Sequence, residues 1–116
     1  MARHLDLGRS GEDRAAKYLQ SIGYRIIERN KRYPLGEIDI VAKDGSSLVL
    51  VEVKAGRTGK YGYAFERVGT QKKQKLRNLA RRFSQEHPKA VHRIDLINVD
   101  SATDEVLHIP NAVQSF

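Results

Sequence analysis

Four residues of this chain carry charge where charge is expensive. Glu37 and Asp39 stand in the run Gly36-Glu37-Ile38-Asp39-Ile40-Val41, and Glu52 and Lys54 stand in Leu48-Val49-Leu50-Val51-Glu52-Val53-Lys54. Both runs are rich in Ile and Val, and Asp44-Gly45-Ser46-Ser47 between them is a hairpin signal. A turn centred between Gly45 and Ser46 sets Asp39 opposite Glu52 and Glu37 opposite Lys54. Strand side chains alternate with period two, so all four are expected on one face. Charges in such a strand must be paired or must hold a metal. Two facing carboxylates repel when ionised, and a divalent cation relieves the repulsion. Hard oxygen ligands suit Mg²⁺ or Mn²⁺ rather than zinc. Lys54, on the same face, would orient or deprotonate a water or stabilise charge on a phosphate. The competing reading is a salt-bridge cluster on a solvated sheet face. The apolar neighbourhood and the excess of acids weigh against it.

These residues need elements to hold them. Ala15, Ala16, Leu19 and Ile22 fall on one face of a helix over 8–22, with Ser10 and Asp13 as a capping pair and Gly23 as its end. Glu12 lies on the same stripe, where it would approach the patch as a further metal or water ligand; a solvated helix end is the alternative. Strands are expected over 24–31, 37–43 and 48–54, with Pro34-Leu35-Gly36 as a turn. The stretch 55–69 holds Gly56, Gly59, Gly62 and Gly69 and reads as a loop. Thr70 caps a second helix to about Glu86, with the stripe Leu76, Leu79, Ala80 and Phe83, and Pro88 prevents its continuation. Strands follow over 91–99 and 106–109. The order is α-β-β-β-α-β-β, an α/β layered fold with a mixed sheet. With 116 residues, one domain over 1–116 is expected.

The formal net charge of +7 points to a polyanionic partner. Lys72, Lys73, Lys75, Arg77, Arg81 and Arg82 make the second helix a basic surface, and Lys72, four residues before Leu76 on the inner stripe, is placed to reach the acidic patch. A charge run on a helix is usually only its wet face; beside a phosphate-cutting patch, contact with a nucleic-acid backbone is the better explanation. Arg57, Lys60 and Tyr61, with Tyr63 and Phe65, interleave cations and aromatics in the glycine-rich loop, suited to stacking bases; Phe65 in the core is the alternative. The four histidines show no ligand spacing, and Asp95 reads as a structural acid. There are no cysteines, no apolar run of the ~20 residues a membrane helix needs, and no signal-like N-terminus. A cytoplasmic protein without a membrane role is the default expectation.

Gly36-Glu37-Ile38-Asp39 followed by Val51-Glu52-Val53-Lys54 resembles the D…ExK core of the restriction-endonuclease-like superfamily. With Gly11-Glu12, Gly23-Tyr24, Arg29-Asn30, Lys72 and Arg93-Ile94-Asp95, the chain resembles the uncharacterised YraN family over roughly residues 8 to 100. That family is regarded as a predicted endonuclease related to archaeal Holliday junction resolvases. The resemblance implies a restriction-endonuclease-like mixed sheet flanked by helices. It also implies metal ligation by Asp39, Glu52 and the Val53 carbonyl, Lys54 as catalytic lysine, and Glu12 as the helical acid of the resolvase-like group. Two departures stand out: Ala55-Gly56-Arg57 follows the motif where Thr or Ser and then Arg is common, and no Pro precedes Asp39. The expectation is a Mg²⁺-dependent (or Mn²⁺-dependent) endonuclease acting on DNA, with branched DNA and a homodimer suggested by the family likeness. The alternatives are a non-catalytic nucleic-acid-binding module and a protein-interaction subunit that retain the fold.

Overall fold

The computed structural model describes residues 3–56, 69–87 and 91–113. Its elements are α1 (Arg3–Ser21), β1 (Arg25–Tyr33), β2 (Gly36–Asp44), β3 (Ser47–Gly56), α2 (Thr70–Glu86), β4 (Val91–Asp100) and β5 (Val106–Val113). The expected α/β order holds. The five strands form one sheet in chain order. β3 and β4 are parallel, bridged by the crossover that contains α2, and the other neighbours are antiparallel.

The two helices cover opposite faces. Leu76, Leu79, Ala80 and Phe83 of α2 pack with Ile38, Val41, Leu50, Ile94, Leu96 and Val113. Ala15, Ala16 and Leu19 of α1 pack with Ile40, Ala42, Val49, Val51, Ile97 and Val99. The central strands therefore bury both faces, which is why β3 reads as a nearly continuous apolar run. α1 comes close to β3 at Gly11, where a Cβ would lie 2.6 Å from the Cβ of Ala55. Only glycine admits that approach.

Some details differ from the sequence reading. α1 extends back to Arg3, so Ser10 and Asp13 lie inside it and do not cap it. Ile22 falls just beyond its last residue and is 46% exposed. Gly23 ends the helix as expected: it takes a positive φ of 95°, its N–H donates to the Gln20 carbonyl, and Tyr24 N–H donates to that of Leu19. α2 has Gly69 as its N-cap, with no side-chain cap bond; Thr70 is its first helical residue.

A candidate two-carboxylate metal site

The β2–β3 hairpin adopts the expected register: Asp44 pairs with Ser47, Val41 with Leu50 and Ile40 with Val51. Gly45 carries the positive φ of 62° at the first turn position, as a two-residue turn requires. The ladder then stops, one step short of Asp39 and Glu52. On the other side, the β1–β2 register passes from Arg29↔Ile40 to Lys31↔Ile38. Asn30, between them, takes a left-handed φ of 57°. Ile38 packs in the α2-side cluster and Ile40 in the α1-side cluster, so period-two alternation breaks at Asp39. The single common face expected for the four charged residues is corrected here. β2 and β3 part, and the Asp39 carboxylate takes the place of a ladder acceptor: its Oδ2 accepts the Val53 N–H at 2.8 Å.

Asp39 thus lies in a fork between two strands. Burial pushes its carboxyl up to about 7, with the charges of Glu52, Glu12 and Glu37 adding to the rise and the Val53 hydrogen bond opposing it. Glu52 is 8% exposed and faces α2. It borders a small cavity lined by Ile38, Leu50, Leu76, Leu79 and Ile94. Its Oε1 lies 3.2 Å from the Lys72 ammonium of α2. Lys54 follows on the same face of β3, partly buried, and among the described residues no carboxylate pairs with it. Glu37 does not serve Lys54; it pairs with Arg32 at 3.2 Å.

Glu12 departs from expectation. Its Oε1 accepts hydrogen bonds from Arg29 Nε and Asn30 Nδ2, both at 3.0 Å. Its charge is felt at Asp39, but its carboxylate is committed to β1. Among the described residues, no group of three or more His, Cys, Asp or Glu side chains is gathered closely enough to hold a metal ion. Two acids remain, Asp39 and Glu52, beside the Val53 backbone. Mg²⁺ is commonly bound by one or two carboxylates with water and substrate phosphate completing its shell, so this donor set fits it. The upward push on Asp39 comes first from burial and then from the charges of the neighbouring acids, and a bound cation would oppose both.

Of the basic residues expected to meet nucleic acid, Lys73 and Lys75 are exposed on α2 and Arg77 is half-buried. Lys72 turns inward to Glu52, as its place on the Leu76 stripe led us to expect. Arg57, Lys60 and Tyr61 lie outside the described residues, as do Tyr63 and Phe65. Asp95 is the structural acid that the sequence suggested, fully buried beneath α1. Burial raises its carboxyl, but hydrogen bonds from His108, Arg93 and the Asn111 N–H outweigh that and hold it below the usual range. His108, unassigned from the sequence, is part of this network and is edge-packed by Tyr18 and Tyr24. The sequence reading also missed Asn98 on β4, which is 1% exposed and has both amide atoms without a partner among the described residues.

A model of the uncharacterised protein family UPF0102 matches residues 11–99, which span α1 to β4 and include every residue of this site. The chain belongs to UPF0102, the YraN family. UPF0102 proteins similar to it include one from Caldicellulosiruptor saccharolyticus, 40% identical over 107 residues covering 90% of this chain and 91% of that protein. Another, from Thermodesulfovibrio yellowstonii, is 42% identical over 116 residues covering 97% of this chain and 98% of that protein. A third, from Arthrobacter sp., is 47% identical over 95 residues covering 80% of each. The UPF0102 name carries no activity, so the chemistry must be argued from the site.

Proposed function

We propose that this UPF0102 protein is a cytoplasmic Mg²⁺- or Mn²⁺-dependent endonuclease that hydrolyses DNA phosphodiester bonds, with branched DNA as a candidate substrate and a homodimer as its candidate form. The observation that carries the proposal is the fork at Asp39, where a carboxylate is pressed beside Glu52 in a half-buried site with an excess of negative charge. Asp39 and Glu52, with the Val53 carbonyl, would hold the cation. The bound cation would act as a Lewis acid on the phosphate and lower the pKa of the attacking water. Lys54 stands next along β3, its ammonium available to orient the water or to meet charge developing on the phosphate. The Val53 N–H fixes the Asp39 carboxylate in place, so little reorganisation is needed before binding. Lys73 and Lys75 present positive charge on the neighbouring helix for the DNA backbone.

A second reading is a nucleic-acid-binding module that keeps the fold without the chemistry. Its support is the Lys72–Glu52 ion pair, which already supplies a cation to one of the two acids. Two measurements separate the readings. Calorimetry with Mn²⁺ should show binding to the wild type and none to Asp39→Ala. A panel of labelled duplex, single-stranded, flapped and four-way DNA and of RNA should show metal-dependent cleavage that Lys54→Ala removes. DNA binding without Mn²⁺ binding or cleavage would leave only the module.

A further inference from the structure

Asn98 is a fully buried carboxamide whose Oδ1 and Nδ2 both lack a hydrogen-bond partner among the described residues. Each such atom costs the desolvation free energy of a polar group, and native interiors seldom tolerate one, let alone two on a single side chain. In the parallel β3–β4 ladder Asn98 is the direct partner of Lys54, just as Leu96 is the partner of Glu52. Neighbouring strands run about 5 Å apart, so partnered side chains on one face are within reach of each other. Leu96 packs in the α2-side cluster, and alternation puts Asn98 on the same face as Glu52 and Lys54. Its other ladder neighbours on that face are Leu96 and, on β5, Leu107, neither of which has a polar side chain. Asp100, two residues on, uses Oδ1 to accept the N–H groups of Ala102 and Thr103. Among the described strand neighbours Lys54 is therefore the group with something to offer, an ammonium of three donors with no carboxylate partner among the described residues.

We infer that Asn98 is a positioning residue for Lys54: when a phosphodiester is bound, its Oδ1 accepts a hydrogen bond from the Lys54 ammonium and holds that cation over the site. Its Nδ2 then faces a phosphate oxygen or the attacking water. The inference rests on the nuclease reading above and adds to it a residue outside the D…ExK motif. It also fits the placement of Asn98 toward the carboxyl ends of two parallel strands, the end at which α/β sheets bind ligands.

The test uses the full chain and three variants, Asn98→Leu, Asn98→Ser and Lys54→Met. Asn98→Leu removes both unpaired atoms at nearly constant volume, so its melting temperature without metal or DNA should rise by a few degrees. Its metal-dependent cleavage should fall about 10- to 100-fold, in kcat rather than KM, as for the partner of a catalytic group. Asn98→Ser keeps an acceptor oxygen and should lose less. In EDTA, the Asn98 side-chain amide NMR signals should move when a DNA duplex is added to the wild type, and should stay in place in Lys54→Met. Wild-type cleavage matched by Asn98→Leu, or amide signals that ignore DNA in the wild type, would overturn the positioning role alone. A wild type that cleaves no member of the nucleic-acid panel would overturn the nuclease reading and this inference together.

Discussion

Asp39 holds its charge against opposition. Its carboxyl is pushed up to about 7, first by burial and then by Glu52, whereas an unfolded aspartate titrates near pH 4. Between those values the folded chain binds a proton that the unfolded chain has lost, so stability falls as pH rises through that window. Thermal melts of the metal-free protein from pH 4 to 8 should show this fall, and added Mn²⁺ should reverse it. Asp39→Asn keeps an acceptor for the Val53 N–H and removes the charge. It should gain about 1–3 kcal/mol at pH 8 while losing Mn²⁺ binding. A destabilised Asp39→Asn would mean that the carboxylate is held by attraction rather than tolerated. Lys72 makes the complementary prediction. Its ammonium would compete with a metal for Glu52, so Lys72→Met should tighten Mn²⁺ binding by roughly three- to tenfold, the scale of a partly exposed ion pair. Unchanged affinity in a calorimetric titration would show that Lys72 and the metal do not share Glu52.

At the scale of elements, the site depends on where strands stop pairing. β1 has a left-handed residue, Asn30, at the level of Asp39, and β2 leaves β3 there. α1 stabilises this departure. Its Glu12 accepts from Arg29 and Asn30, and its Gly11 lies against Ala55 of β3. Gly11→Val would force α1 away from β3. It should cost about 1–3 kcal/mol by denaturant unfolding, the usual range for overpacking, and should weaken Mn²⁺ binding through displacement of Glu12, Arg29 and Asn30. A variant that loses stability but binds Mn²⁺ normally would show that the fork holds itself without α1.

Across the whole molecule, two properties would act together: a half-buried acidic pair and an overall charge of +7. Long-range attraction would gather a polyanion, and a local negative pocket would discriminate against it until a divalent cation is bound. Metal should therefore increase DNA affinity as well as support cleavage. Lys73 and Lys75 lie on the exposed surface of α2. Alanine at either should weaken DNA binding equally for all sequences and lower the slope of log K against log salt by about one. A salt slope unchanged by both would move the DNA surface away from α2. Among the described residues no helix is long and apolar enough to cross a membrane.

Much was legible in the residues themselves. Apolar periodicity marked both helices and all five strands, because burial of one stripe or of both strand faces leaves a local pattern. The Asp44–Ser47 turn set the hairpin register, since a two-residue loop permits little else. The D…ExK spacing showed which charged residues deserved attention. Tertiary structure alone decided how those charges are used. The parting of β2 from β3 at Asp39, the loss of Glu12 to Arg29 and Asn30 and the place of Asn98 beside Lys54 all join residues distant in sequence, whereas the inward stripe of Lys72 was visible beforehand and only its seat on Glu52 was not. Alternation assumes a regular ladder, and no local pattern records where a side chain replaces a backbone acceptor or which of several nearby cations reaches a buried acid first. Those outcomes depend on three-dimensional distance and on dielectric surroundings, which exist only once both helices have closed over the sheet.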